Sequence, residues 1–234
     1  LVYTEHARRH LISEGLPHRR IYLTGSPMCE VLNYYRPKIE ASGILHALKL
    51  EKGRYFVVSV HREENVDNPR NLDNILLILN RMAGEYKVPV IVSTHPRTRK
   101  RLEAVENTMM DPQIQFLKPF GFTDYVHLQM NALCTVSDSG TISEESAILN
   151  FPAISLRNSM ERPEAQDAGT IMLTGFDSSV VLESVETNIR EHSTRDASLI
   201  PSDYRVPDTS WRVMKLIQSL SGLSNRWHGI SIGI

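Results

Sequence analysis

The chain has 234 residues, enough for one large domain or two small ones with a substantial hydrophobic core. Hydrophobic residues make up 41% and charged residues 23%, and 26 basic side chains nearly balance 27 acidic ones, which leaves a net charge of -1. This balance excludes a general electrostatic attraction to nucleic acid or to an anionic membrane, so any anion must be bound by a local group.

The cysteine content and the absence of long apolar runs limit the class of protein further. Cys29 and Cys134 have neither the spacing of zinc ligands nor that of a disulfide scaffold. No apolar run approaches the roughly 20 residues that span a bilayer, and the first residues lack the pattern of a secretion signal. We therefore expect a cytoplasmic protein with no membrane or nucleic-acid partner. Because the chain begins at Leu1, we interpret it as a piece of a longer protein.

Short β-branched runs alternate with longer helical patterns, which predicts an α/β fold with βα units around a parallel sheet. Most strand candidates are continuous apolar runs, as expected for strands that are covered on both faces. The predicted strands are residues 20–24, 55–60, 89–93, 114–117, 133–136, 153–156 and 171–173. The predicted helices are residues 4–14, 28–48, 69–86, 97–106, 123–130, 141–149, 163–168, 179–191 and 209–220, and we assign no structure to the stretch from residue 221 onward.

Three predicted strands are followed by unusual polar groups. His61 comes directly after the strand that ends at residue 60, His95 follows the strand that ends at residue 93, and the sequence DSGT (138–141) follows the strand that ends at residue 136. Ligands of open α/β sheets bind outside the carboxyl ends of the strands. We therefore expect His61 and His95 to face the same crevice.

The DSGT sequence has the features of an anion-binding loop. Gly140 permits a close approach of the backbone, Ser139 and Thr141 offer hydroxyl groups, and the following helix presents free N–H groups with a partial positive charge. A diphosphate fits these features better than a single carboxylate. Neither GxxxxGK[ST] nor GxGxxG occurs in the chain, so the loop belongs to neither of those phosphate-binding motifs.

A plainer interpretation of the same loop is that it caps a helix. Asp138 or Ser139 would then be the cap, and Glu144 and Glu145 would favourably occupy the first turn. Alternatively, Glu145 accepts hydrogen bonds from a ribose diol, as acidic residues do in dinucleotide sites, while Glu144 is a surface or first-turn residue.

The histidine and arginine candidates also have two interpretations each. His61 could donate to a phosphate, and His95 could do likewise, but either could be an ordinary polar residue at a strand end. The basic run that follows His95 is typical of a solvated helix face. Arg162, held before a proline at a helix start, could clamp a phosphate or simply pair with Glu164. Tyr125, near two phenylalanines at a loop–helix junction, could stack on a base or belong to the core.

Taken together in this order, the motifs resemble those of the non-hydrolysing UDP-N-acetylglucosamine 2-epimerase family, over about residues 1 to 220. The resemblance implies a two-lobed enzyme in which each lobe is Rossmann-like and doubly wound, as in one class of nucleotide-sugar glycosyltransferases, and which works as a homodimer. This chain would be the C-terminal lobe, with a nucleotide-sugar-binding domain over residues 1–222 and a tail over 223–234. The motifs are HREEN (61–65), STHP (93–96), DSGTISEES (138–146), ERPE (161–164) and AGT (168–170).

The resemblance also implies roles for individual residues, with a UDP-sugar as the substrate. Ser139, Gly140 and Thr141 would hold the diphosphate, Glu145 the ribose hydroxyls, and Tyr125 would lie against uracil. The catalytic pair would be His61 and Arg162, with His95 and Glu64 as further contacts to the phosphates or the sugar.

The reaction that the resemblance implies is inversion at C2, in which UDP leaves to give a 2-acetamido glycal and then adds back. It requires no metal and no nicotinamide cofactor, and the carboxylates that move the C2 proton belong to the family's other lobe. This chain has DSGTISEE where many members have DSGGIQEE, which is similar to the branch that acts on UDP-2-acetamido-2,6-dideoxy-L-hexoses. The alternatives are a glycosyltransferase of the same architecture and a non-catalytic nucleotide-sugar-binding module.

Overall fold

The computed structural model describes residues 1–94, 101, 109–192, 194, 200–227 and 229. Its strands are β1 (Phe56–Ser59), β2 (Val90–Ser93), β3 (Ile114–Leu117), β4 (Cys134–Ser137), β5 (Ala153–Ser155) and β6 (Met172–Leu173). Its helices are α1 (Glu5–Ser13), α2 (Met28–Glu40), α3 (Ile44–Ala47), α4 (Glu63–Val66), α5 (Pro69–Tyr86), α6 (Phe122–Asn131), α7 (Ile142–Leu149), α8 (Glu164–Asp167), α9 (Ser178–His192) and α10 (Thr209–Trp227). Two short 3₁₀ turns cover His18–Arg20 and Ser202–Tyr204.

The six strands form one parallel sheet in the order β3-β2-β1-β4-β5-β6. The order reverses at β1, which pairs with β2 on one side and β4 on the other, so that Phe56 is in register with both Val90 and Cys134. This is the strand order of a doubly wound Rossmann-like fold, and the predicted fold class is confirmed. The crevice where such folds bind ligands lies at the carboxyl ends of β1 and β4.

The alternation of side chains along β1 builds a core on each face of the sheet. Phe56 and Val58 belong to the cluster that includes Leu79 of α5. Tyr55, just before the strand, points to the other face and packs in a cluster with Leu128 of α6. Because both faces are covered, β1 is buried and apolar along almost its whole length, as the sequence predicted.

Helix α5 follows the predicted pattern closely. The Asn68 side chain caps the helix by accepting hydrogen bonds from the N–H groups of Arg70 and Asn71, and Pro69 occupies the first turn. Lys87 ends the helix in the left-handed conformation at φ 52°. The residues predicted to form the apolar face are all buried, namely Leu72, Ile75, Leu76, Leu79 and Met82.

Replacing Asn68 with alanine should lower the free energy of unfolding by about 1 kcal/mol, because two backbone donors at the start of α5 lose their acceptor. Urea denaturation measures this change. Asn68→Asp is the matched control, since aspartate caps as well as asparagine. A loss as large in the aspartate variant would contradict the capping role.

Three predicted elements were wrong in their extent. The strand over residues 20–24 is absent, and Leu23 makes only a single parallel bridge to Val2, because a 3₁₀ turn precedes it and Gly25 follows at φ 85°. The helix over 28–48 is interrupted between α2 and α3, where the Ser42 hydroxyl accepts from the N–H of Ile44. The last helix continues past residue 220 to Trp227. The predicted helix over 97–106 lies, apart from Arg101, outside the described residues.

The chain divides into two compact units. One consists of Leu1–Tyr34 together with Pro201–Ile234, and in it the Thr209 hydroxyl donates to the carbonyl groups of Thr24 and Ser26. The other, Tyr35–Ile200, contains the sheet and every described residue of the candidate site.

Candidate functional site

The loops that follow β1, β4 and β5 carry most of the predicted site residues. His61 follows β1, the DSGT loop follows β4, and Arg162 follows β5, so parallel strands bring these segments to one edge of the sheet. Strand β2 ends at Ser93, and the predicted site residue His95 lies outside the described residues.

Asp138 joins the loop after β4 to the loop after β1. Its fully buried carboxylate accepts hydrogen bonds from the backbone N–H groups of His61 at 3.0 Å and Arg62 at 2.9 Å, and from Nδ2 of Asn65 at 2.9 Å. The Nδ1 atom of His61 lies 3.3 Å from the same carboxylate. Asp138 therefore positions the histidine loop and does not cap α7.

His61 itself remains accessible. Its side chain is 45% exposed, although its backbone is held by Asp138. Since Nδ1 faces Asp138, Nε2 is the ring nitrogen available to a bound group.

Arg62 is fixed by its own set of hydrogen bonds. Its Nε donates to the carbonyl oxygen of Asp138 at 3.0 Å, and its terminal nitrogens donate to both oxygens of Glu161 at 3.1 and 3.2 Å. Glu64, a predicted sugar or phosphate contact, is exposed and accepts from the same guanidinium at 3.2 Å. Arg157 donates to Glu161 at 2.7 Å, and the hydrogen bonds from Arg157 and Arg62 lower the pKa of Glu161 to about 2.

The loop over residues 139–141 leaves the start of α7 open. The Ser139 hydroxyl lies 2.9 Å from the Thr141 hydroxyl and accepts from the N–H of Thr141 at 3.3 Å. No side chain caps α7, and within the described ranges the N–H groups of Gly140, Ile142 and Ser143 have no acceptor. Such groups at a helix N-terminus favour an anion.

Gly140 is bordered by two guanidinium groups. A Cβ atom placed on Gly140 would lie 3.9 Å from Nε of Arg162 and 4.0 Å from Nη2 of Arg62. A side chain there would separate the backbone from both cations. The glycine thus lets positively charged side chains and backbone N–H groups reach the same small volume.

Arg162 forms an ion pair with Glu144 in the first turn of α7. The side chain of Glu144 is only 3% exposed and that of Arg162 is 30% exposed. Of the two expectations for Glu144, the first-turn position is confirmed and the surface position is wrong, because the carboxylate turns inward to the guanidinium.

Glu145 is buried and is held by a residue of a neighbouring helix. Gln129 of α6 donates to its carboxylate at 2.9 Å. Burial raises the pKa of Glu145, while the side chains of Gln129 and Thr141 and the charge of Arg162 oppose that effect. A carboxylate in this setting is costly in the free protein and gains from any further donor.

Tyr125 packs against the cluster that contains Tyr55 and Leu128. Burial raises the pKa of the hydroxyl, while Ser59 and Ser137 oppose that effect. The structure thus packs the partly buried phenol ring against the core.

Predicted residues brought together in this region are His61, Glu64, Tyr125, Ser139, Gly140, Thr141, Glu145 and Arg162. Four further contributors to the site were not predicted from the sequence, namely Arg62, Asp138, Gln129 and Glu161. Three of them belong to recognised motifs, so the neighbouring motif residues could have indicated their role. Gln129 had no such signal, because its contact with Glu145 depends on the packing of α6 and α7.

Among the described residues, no helix combines the length and the apolar character needed to cross a membrane.

Comparison with known proteins identifies the family. The model of the UDP-N-acetylglucosamine 2-epimerase family matches residues 1–218. The chain is 30% identical over 190 residues to the UDP-N-acetylglucosamine 2-epimerase of Methanocaldococcus jannaschii, a match that covers 78% of this chain and 52% of that protein. The chain spans about half the length of the curated relatives that it matches.

Solved structures agree with this result. The UDP-N-acetylglucosamine 2-epimerase of Rickettsia bellii superposes with a TM-score of 0.86 at 43% identity, over 96% of this chain and 60% of that one. The Methanocaldococcus jannaschii enzyme in complex with UDP-GlcNAc and UDP superposes with a TM-score of 0.78 at 26% identity, over 92% of this chain and 60% of that one. The chain therefore belongs to the UDP-N-acetylglucosamine 2-epimerase family.

Proposed function

We propose that this chain is the nucleotide-sugar-binding part of an enzyme that inverts C2 of a UDP-N-acetylhexosamine. The observation that carries the proposal is the meeting of two guanidinium groups with the open N-terminus of α7 at Gly140. The diphosphate would bind there, with its oxygens on the N–H groups of Ile142 and Ser143. Family membership supports the substrate class, since the Methanocaldococcus jannaschii relative is described in complex with UDP-GlcNAc and UDP.

The ribose would bind at Glu145. Its carboxylate lies one helical turn after the anion-binding loop and accepts hydrogen bonds, as a diol requires. Burial and the hydrogen bond from Gln129 fix its orientation before the ligand arrives. In this arrangement Tyr125 would border the base from the core side.

The chemistry that we propose is elimination followed by re-addition. The C2 proton is removed, the bond between C1 and the diphosphate oxygen breaks, and UDP departs with the bonding electron pair to leave a 2-acetamido glycal. UDP then adds back to C1 while C2 is protonated on the opposite face. His61, Arg62 and Arg162 would stabilise the negative charge that develops on the departing diphosphate.

We assign the transfer of the C2 proton to carboxylates in another part of the protein, since the chain spans only part of the length of its relatives. The exact hexosamine is either UDP-GlcNAc or a 6-deoxy-L-hexose analogue, and we propose that the whole enzyme acts as a homodimer.

The test of the reaction is an assay with the full-length protein and no acceptor, in which UDP-GlcNAc and its 6-deoxy-L-hexose analogue are supplied separately and the products are separated. The proposal predicts conversion to the C2 epimer. Release of UDP and free sugar without any epimer, or transfer only after an acceptor is added, would overturn it in favour of a glycosyltransferase.

Replacing Glu145 with glutamine should weaken UDP binding by about tenfold or more, because hydrogen bonds from ribose hydroxyls to a carboxylate are stronger than those to an amide. Titration calorimetry measures the change. Glu183→Ala, an exposed position on α9, is the control and should bind UDP as the original protein does. Equal affinities in both variants would contradict the ribose contact.

The same substitution should raise the free energy of unfolding at neutral pH. The pKa of Glu145 is raised in the folded protein, so its contribution to stability is largest below its ordinary pKa and is lost as the pH rises through the raised value. Glutamine carries no charge to desolvate and avoids that loss. UDP affinity should correspondingly fall as the pH drops through the raised pKa.

A further inference from the structure

Gln129 is a buried polar residue on an otherwise largely apolar face of α6. Its side chain is 1% exposed, and its Nε2 donates to Oε2 of Glu145 at 2.9 Å. The two residues belong to different helices and are 16 positions apart. The contact therefore results from how α6 and α7 pack, and not from helical spacing.

The other half of the amide has no partner. Within the part of the chain that the structure describes, Oε1 of Gln129 is buried and accepts no hydrogen bond. Buried amide groups in proteins are nearly always satisfied at both ends, since an unsatisfied acceptor is destabilising. A residue retained only for packing would be better replaced by an apolar side chain of the same size, such as methionine.

Thr141 precedes the helix that carries Glu145. Its side chain opposes the rise in the pKa of Glu145, and its hydroxyl lies 2.9 Å from that of Ser139. The charged or titratable groups that act on this carboxylate include Arg162 and Tyr125. The hydrogen bond from Gln129 on α6 thus restricts the rotation of the carboxylate.

We propose that Gln129 is a positioning residue for nucleotide recognition: its amide holds the Glu145 carboxylate in the orientation that accepts hydrogen bonds from both ribose hydroxyls of a UDP-sugar. The inference rests on the proposed function, in which Glu145 binds the ribose. The inference adds which residue makes this contact specific for ribose. An oriented carboxylate discriminates ribose from 2′-deoxyribose, because loss of one hydroxyl leaves part of a buried acceptor unpaired.

The experiment compares the affinities of UDP and 2′-deoxy-UDP for the full chain by titration calorimetry. The original protein should bind UDP about tenfold more tightly than 2′-deoxy-UDP. Gln129→Met conserves volume but removes the donor, and should reduce this ratio to about threefold or less. If the role of Gln129 were purely structural, its replacement would weaken the binding of both nucleotides equally and leave the ratio of their affinities unchanged.

Ser146→Ala is the matched control. Ser146 follows Glu145, and its buried hydroxyl has no partner among the described residues, so its removal should alter neither the fold nor the ratio. Gln129→Leu provides a second variant that also removes the donor to the carboxylate, and it should lower the ratio as well. It keeps the inference testable if Gln129→Met does not fold.

The outcomes separate the inference from the function on which it rests. If the original protein does not distinguish the two nucleotides, or if Glu145→Gln keeps the full ratio, the ribose role of Glu145 is overturned. If Glu145→Gln abolishes the ratio but folded Gln129→Met retains it, the positioning role of Gln129 alone is overturned. A ratio lost in both, and kept in Ser146→Ala, supports the inference.

Discussion

Replacing Asp138 with alanine is expected to lower the free energy of unfolding by about 3 kcal/mol and to abolish measurable UDP binding. The carboxylate is fully buried and satisfies two backbone N–H groups and the side chain of Asn65. Alanine leaves these donors without an acceptor, and it releases the loop that carries His61 and Arg62. Urea denaturation measures the stability and calorimetry measures the binding.

The matched control is Asp177→Ala. Asp177 also accepts from two backbone N–H groups, those of Ser179 and Val180, but it is exposed at the start of α9. Its replacement should lower the free energy of unfolding by about 1 kcal/mol, as for an ordinary helix cap, and should leave UDP binding unchanged. If the Asp138 variant lost no more stability than the Asp177 variant, Asp138 would not be the residue that joins the two loops.

Replacing Arg162 with alanine is expected to have the second-largest effect. It leaves the buried carboxylate of Glu144 without its guanidinium partner, at a cost of about 3 kcal/mol. That value is the lower end of the range for buried pairs, because the Arg162 side chain is 30% exposed. The variant should also lose UDP affinity by about 100-fold, since a charge-assisted contact to the diphosphate disappears.

A double variant separates the two causes. Arg162→Ala combined with Glu144→Gln also removes the buried charge that the guanidinium balances, so it should recover most of the lost stability but not UDP affinity. Denaturation and calorimetry on the two single variants and the double variant complete the cycle. Recovery of affinity together with stability would mean that Arg162 supports the fold only and does not bind the ligand.

The strands and the best helix could be predicted because local patterns determine them. The β-branched runs that became β1, β2 and β4 are buried on both faces, and such runs have few other structures available. Helix α5 combines an asparagine cap, a proline in the first turn and an apolar face. The break at Ser42 was missed because it depends on one side chain that captures a backbone N–H.

The candidate site was only partly predictable, because its main contacts join distant positions. Asp138 reaches the backbone of His61 across 77 residues, which requires β4 to lie beside β1. When several strands have similar sequences, the sequence does not show which of them are neighbours in the sheet. Gln129 and Glu161 were missed for the same reason, whereas the DSGT loop was found because its chemistry lies in consecutive residues. The ligand contacts assigned to these residues remain predictions.

Two buried carboxylates in the candidate site make the stability of this region depend on their partners. Glu144 and Glu145 are both buried in the first turn of α7, where the helix dipole favours them, and each depends on a specific partner. Removing a partner leaves a desolvated charge, which explains why the expected losses here exceed that for the exposed cap at Asn68.

The most direct test of the central claim is a crystal structure of the chain with UDP. We predict diphosphate oxygens within about 3 Å of the N–H groups of Ile142 and Ser143, and ribose hydroxyls on the Glu145 carboxylate. UDP bound with its diphosphate away from Gly140, or with its ribose out of reach of Glu145, would contradict the account.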